Sequence, residues 1–187
     1  MLPILTVAQA VSLLQEGEVL AYPTEAVYGL GCLPRLKESV YRILSLKKRP
    51  VEKGLILVAA TMEQLKPLLD LRQIKEKRLA DILKTWPGPY TWVFPATEQV
   101  PHWITGSHHS VAVRLSAHPV VQALCLGLGS PIVSTSANVA TEPPLGDLEL
   151  LRQVFSGKIS GVVAGDLGGL GQPTSVQDAI TNRILRA

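Results

Sequence analysis

Basic and hydroxyl residues gather at a few short junctions of this sequence, and their types suit an anionic ligand. In "SLKKRP", Lys47, Lys48 and Arg49 crowd the end of a helix-patterned stretch that Pro50 must stop. An arginine fork beside lysine point charges makes a phosphate clamp, and basic residues there would equally complement the negative end of a helix dipole. In "PIVSTSANVATEPP" an apolar run passes straight into Ser134, Thr135 and Ser136, then Asn138. Hydroxyls and backbone amides there can form an anion-binding concavity, with Asn138 supplying both donor and acceptor. "AYPTEAVYGLGC" delivers Thr24, Glu25 and Tyr28 into an expected turn whose Gly29 and Gly31 admit close approach of a ligand. A tight turn capped by threonine would explain the same residues.

Other positions add to the pattern. Arg114 lies inside the apolar run "SVAVRLS", where a guanidinium needs a partner, either an internal carboxylate or a substrate carboxylate. His118 follows at a helix start and reads as a cap or a satisfied surface histidine. Thr91 follows the stiff "WPGP" turn, Thr174, Ser175 and Asp178 stand in "GQPTSVQDA", and Arg183 and Arg186 lie in "RILRA". The phosphate loop, dinucleotide, nucleophile-elbow and H-E-x-x-H patterns are all missing, so the common nucleotide, hydrolase and metalloprotease templates fail. The residues alone describe a cationic, hydroxyl-rich cleft for an anionic substrate.

The elements that must hold these residues are those of an α/β protein. Apolar, β-branched runs without alternation ("EVLAYP", "GLILVAA", "YTWVFPA", "SVAVRLS", "PIVSTSA", "ISGVVAG") predict strands covered on both faces. Three- and four-residue apolar spacing predicts helices over 6–16, 37–48, 61–70, 73–84, 117–127 and 147–155. Thr6 with Gln9, and Thr61 with Gln64, have capping-box spacing. Ligands of open α/β sheets bind at strand carboxyl ends, which is where the hydroxyl and basic clusters fall.

The chain has 187 residues, 47% of them hydrophobic, with no repeat and no linker-like break in composition, and it reads as one domain over 1–187. No run approaches the length of a membrane span, and "MLPILTVAQAVSLLQEG" reads as an amphipathic helix and not as a signal peptide. Cytoplasm is the expected location, with no membrane contact. Cys32 and Cys125 lie far apart and away from histidines, so they read as buried thiols, and no metal site is expected. A net charge of +3 permits a polyanionic partner without requiring one.

Taken together and in order, "AYPTEAVYGLGC", "LKKRPVEKGLIL", "WPGPYTWVFPA", "VAVRLSAHPVV", "PIVSTSANVA" and the terminal "ILR" resemble the YrdC-like family of threonylcarbamoyl-adenylate synthases, especially its short single-domain bacterial branch. The resemblance implies a twisted mixed sheet flanked by helices, with a large positive cavity. It implies a reaction in which L-threonine, bicarbonate and ATP give threonylcarbamoyl-adenylate and pyrophosphate, the activated group passing through a partner transferase complex to tRNA. By the same resemblance, Lys47 and Arg49 hold the triphosphate as catalytic cations. Thr91, Ser134, Ser136, Asn138, Ser175 and Arg186 line the nucleotide, and Thr24 and Arg114 stand near threonine. Mg²⁺ is expected to ride mainly on the ATP phosphates. The sequence departs from the longer members, which have Thr at Ala26, Asn-Pro at Lys53-Gly54 and His at Val58, and which carry a further C-terminal domain. Two alternatives stay open: an RNA-binding factor, with direct but weak tRNA contact as its milder form, and a carbamoyl-transfer module for another acceptor.

Overall fold

The computed structural model describes residues 1–139, 142–171 and 174–186. Its strands are β1 (Ile4–Leu5), β2 (Leu20–Pro23), β3 (Tyr28–Gly31), β4 (Ile56–Ala59), β5 (Tyr90–Pro95), β6 (Ser110–Leu115), β7 (Ile132–Ser136), β8 (Gly161–Val163), β9 (Ser175–Asp178) and β10 (Ile184–Arg186). The helices are α1 (Val7–Gln15), α2 (Lys37–Leu46), α3 (Met62–Leu65), α4 (Glu76–Leu83), α5 (His102–Thr105), α6 (Pro119–Leu128) and α7 (Leu148–Val154). The strands form one mixed sheet in the order β1-β8-β2-β3-β7-β4-β6-β5-β9-β10. The expected α/β class and the six expected strands are all present.

Cross-strand partners share a face of a sheet, so the register sorts the side chains. Tyr22 pairs with Gly29, Gly29 with Ser136, Ser134 with Ile56, Val58 with both Ile132 and Arg114. All of these look to one side. On that side α1 and α6 cover Leu20, Tyr22, Val58 and Ile132 with Leu14, Val121 and Leu124. The opposite side, carrying Leu30, Leu57, Trp92, Val113 and Val133, packs the main core against Ile43, Leu65, Ile82, Ile104 and Leu151. The α1/α6 layer stops short, and the strand residues beyond it include Gly29, Ser134 and Ser136 beside Ile56. That exposed half of one face is the floor of the site.

Several local expectations are corrected. Gly29 and Gly31 lie in strand β3 and not in a turn. A Cβ on Gly31 would sit 2.5 Å from the Tyr22 ring and 2.5 Å from the Val133 carbonyl oxygen. The glycines let that ring cross β3, so that the Tyr22 hydroxyl donates to Val133 O at 2.9 Å on β7. Residues 61–70 do not make one helix: α3 ends at Leu65 and a 3₁₀ turn containing Pro67 follows. The Thr6–Gln9 capping box forms, whereas Gln64 Oε1 accepts from Ala60 N and Thr61 makes no cap bond. His118 is buried, with one ring nitrogen 2.9 Å from Asp166 O. Both cysteines are buried thiols, and burial pushes Cys125 up to about 12.

Candidate active site

Helix α2 delivers the basic cluster by the way it ends. Arg49 N bonds Leu44 O and Lys48 N bonds Ser45 O, a Schellman closure with Lys48 in the left-handed region at φ 47°. This sharp reversal turns Lys47 and Arg49 toward the open half of the sheet. The Arg49 guanidinium is fixed by Gly54 O, at 2.9 Å from Nη2 and 3.2 Å from Nε. The loop that supplies this carbonyl is braced from behind: Leu55 N bonds Ile104 O, and Ser107 N bonds Glu52 O. A Cβ on Gly106 would lie 2.4 Å from Glu52 O, so only glycine lets α5 back so closely onto the loop.

Strand β7 delivers the hydroxyls. Ser136 Oγ donates to Asn138 Oδ1 at 2.6 Å, and Asn138 Nδ2 donates to Glu142 O at 2.6 Å. Lys47 Nζ then donates to Asn138 Oδ1 at 2.7 Å, Ser136 O at 2.6 Å and Asn138 O at 3.0 Å. An ammonium has three donors, and all three are spent on this turn. Lys47 therefore shapes the Ser136–Asn138 turn and offers an anion its charge rather than a free N–H.

Between these walls lies a cavity of about 500 Å³, within the usual size of a small-ligand site. Its lining includes Lys47, Lys48, Arg49, Lys53, Arg114 and Arg186, six cations, and no carboxylate among the described residues. The cations feel one another. Burial and then Arg49 pull the Lys47 ammonium down to about 8; burial and then Arg186 lower Arg49; burial and then Arg114 lower Arg186. Such a row of mutually repelling charges is unfavourable until a polyanion neutralises it.

Eight of the ten expected site residues line this cavity: Thr24, Lys47, Arg49, Arg114, Ser134, Ser136, Asn138 and Arg186. Arg186, on the edge strand, reaches inward with Nη2 3.0 Å from Thr174 O. Thr91 and Ser175 do not line it. Thr91 is fully buried, its hydroxyl 3.3 Å from that of Thr174, which covers it. Ser175 pairs with Tyr90 in β9, and alternation along the strand turns it to the face opposite Thr174. A one-residue displacement thus makes Thr174 the lining residue in place of Ser175. Thr24 donates its hydroxyl to Val27 O at 2.6 Å and closes its own turn. Ala26 and Lys53 line the cavity, but Val58 is sealed under α6 and takes no part. The sequence singled out Thr174, Lys53 and Glu25 without assigning any of them a place in the site. For Glu25 a signal existed, since the buried Arg114 required a carboxylate, and Glu25 Oε2 lies 3.3 Å from Arg114 Nη2.

Residues 12–187 match a protein-family model described as "telomere recombination", covering the Sua5, YciO and YrdC proteins. The chain is 50% identical over 177 residues, 95% of both chains, to the threonylcarbamoyl-AMP synthase of Xanthomonas campestris pv. campestris strain B100. It is 49% identical over 183 residues, 98% of both, to that of Xanthomonas oryzae pv. oryzae strain PXO99A. Among solved structures, P. abyssi Sua5 complexed with L-threonine matches with a TM-score of 0.85 and 35% identity, over 92% of this chain and 50% of that one. The chain thus spans about half the length of that Sua5 protein. E. coli YciO shares the fold, with a TM-score of 0.84 at 24% identity over 96% of this chain and 87% of that one. With a family model spanning nearly every residue and full-length relatives half identical to it, this chain belongs to the Sua5/YciO/YrdC family.

Proposed function

We propose that this chain is a threonylcarbamoyl-AMP synthase, a nucleotidyltransferase that makes threonylcarbamoyl-adenylate and pyrophosphate from L-threonine, bicarbonate and ATP for threonylcarbamoyladenosine modification of tRNA. The observation that carries the reading is the row of cations Lys47, Arg49, Arg186 and Arg114 along one cavity with no lining carboxylate among the described residues, in a chain half identical to enzymes of that name. The amine of threonine adds to bicarbonate and water leaves, giving a carbamate. A carbamate oxygen attacks the α-phosphorus of ATP, the bond to the β-phosphate oxygen breaks, and pyrophosphate departs with its electron pair.

Such a transfer requires alignment and charge stabilisation more than proton transfer. Arg49, held by Gly54 O, and Arg186, held by Thr174 O, stabilise the charge that develops on the leaving pyrophosphate. Ser134, Ser136 and Asn138 line the nucleotide, while Thr24 and Arg114 stand nearest threonine. Mg²⁺ enters on the phosphates of ATP, since the lining supplies no carboxylate for it among the described residues. No helix among the described residues is long and apolar enough to cross a membrane, and the cytoplasm is the compartment that this reading assigns. A separate transferase complex takes the adenylate to tRNA, with any direct tRNA contact weak.

The test is pyrophosphate release from ATP with Mg²⁺ and bicarbonate, with and without L-threonine, and mass analysis of the adenylate. Release dependent on both substrates, with a threonylcarbamoyl-adenylate product, is expected. Arg49→Ala should abolish release and leave the thermal melt intact. A folded, ATP-binding protein that releases nothing would redirect the reading to another acceptor or to RNA binding.

A further inference from the structure

Glu25 is buried at the edge of the cavity and is the one carboxylate ion-paired with any of its cations among the described residues. A carboxylate so placed is costly to desolvate and persists where its geometry serves something. Its surroundings fix it from several directions. Ser116 Oγ donates to Glu25 Oε1 at 2.5 Å, and Ser116 Oγ in turn accepts from His118 N at 3.1 Å. Leu170 N bonds Glu25 O and Gly168 N bonds Thr24 O, so the glycine-rich segment after β8 is strapped onto this turn. A Cβ on Gly168 would sit 2.8 Å from Glu25 Cα, so the strap and the turn meet backbone to backbone. Glu25 Oε2 then faces Arg114 Nη2 at 3.3 Å, and Arg114 Nη1 donates to Thr174 Oγ1 at 2.7 Å. Arg114 Nε and Glu25 Oε2 are both buried without a hydrogen-bond partner, so Thr174 holds the guanidinium by one hydrogen bond and Glu25 holds it by charge.

We propose that Glu25 is a positioning residue that acts through Arg114: it anchors the guanidinium on the cavity wall against repulsion from Arg186, so that Arg114 meets an anionic ligand in a fixed orientation. This rests on the reading of the cavity as an anion site, and it goes beyond the lining residues to one that touches no ligand. The opposite role, a mere counter-charge, makes the opposite prediction. If Glu25 only diluted the positive field, removing its charge would tighten anion binding.

Glu25→Gln preserves size and an acceptor for Ser116, and L-threonine, whose carboxylate is the anion assigned to Arg114, titrated calorimetrically into the purified chain reads the effect without depending on turnover. Binding should weaken about tenfold, and on an Arg114→Gln background the same substitution should cost less than about twofold, as for two residues in one pathway. Equal or tighter binding in Glu25→Gln, or costs that simply add in the double variant, would overturn the proposal. Should Glu25→Gln fail to give a cooperative melt, Ser116→Ala loosens the same carboxylate and should weaken binding about threefold; no change would count equally against it. Failure of the synthase reading would appear separately, as wild-type protein that binds L-threonine yet releases no pyrophosphate from ATP.

Discussion

Lys47 is the residue whose role changes most between sequence and structure. A lysine in a basic cluster suggests a hand reaching for phosphate, yet every N–H of its ammonium is engaged by Ser136 O, Asn138 O and Asn138 Oδ1. A neutral amine has only two N–H bonds, so deprotonation breaks one of these contacts and removes a charge from the cavity. Its ordinary value of 10.5 falls to about 8 in the fold, and a bound polyanion must raise it again, since opposite charge favours the protonated form. Pyrophosphate affinity should therefore decline as pH rises through about 8, and binding near that pH should take up a proton. Calorimetry in two buffers of different ionisation enthalpy measures the uptake; equal heats would contradict it. Lys47→Met should lose anion affinity by more than the charge alone explains, because the Ser136–Asn138 turn loses its three-way tie.

At the scale of elements, much was legible. The apolar runs marked six of the ten strands, and Thr6 with Gln9 announced the start of α1 through a cap that forms in full. Thr6→Ala should cost about 1 kcal/mol in urea unfolding. What escaped were features that depend on contacts distant in sequence. Strand β3 reads as a turn because of its two glycines, and those glycines are explained by a tyrosine on the neighbouring strand, not by anything within "YGLG". Gly31→Ala should destabilise by about 2–3 kcal/mol, since neither the Tyr22 ring nor the Val133 carbonyl can yield without breaking their mutual hydrogen bond. Circular dichroism melts would register it, and an unchanged melting temperature would mean that the ring is free to move. Strands β9 and β10 escaped for a related reason: they are short and half or fully exposed, so no periodicity marks them, and the choice between Thr174 and Ser175 depends on a register that only pairing with β5 sets.

The whole molecule spends one face of its sheet unequally, giving half to α1 and α6 and leaving half bare for ligand. Because the cations on that bare half are held in place before any ligand arrives, anion binding should respond to bulk salt, falling about tenfold between roughly 0.05 and 0.5 M; a flat response would imply a dry, hydrogen-bond-dominated site instead. Arg186 has a further consequence. It is carried by β10, an edge strand whose three residues are all exposed and whose register with β9 shifts between Ile184 and Arg186. Such margins open at a small fraction of the global unfolding energy. The cavity thus owes one of its cations to a margin of the sheet that can fray, and a fraying event there withdraws that charge while the rest of the sheet stays intact. Ligand and strand then stabilise each other: an anion bound to Arg186 closes the edge, and amide exchange across residues 184–186 slows in proportion to occupancy.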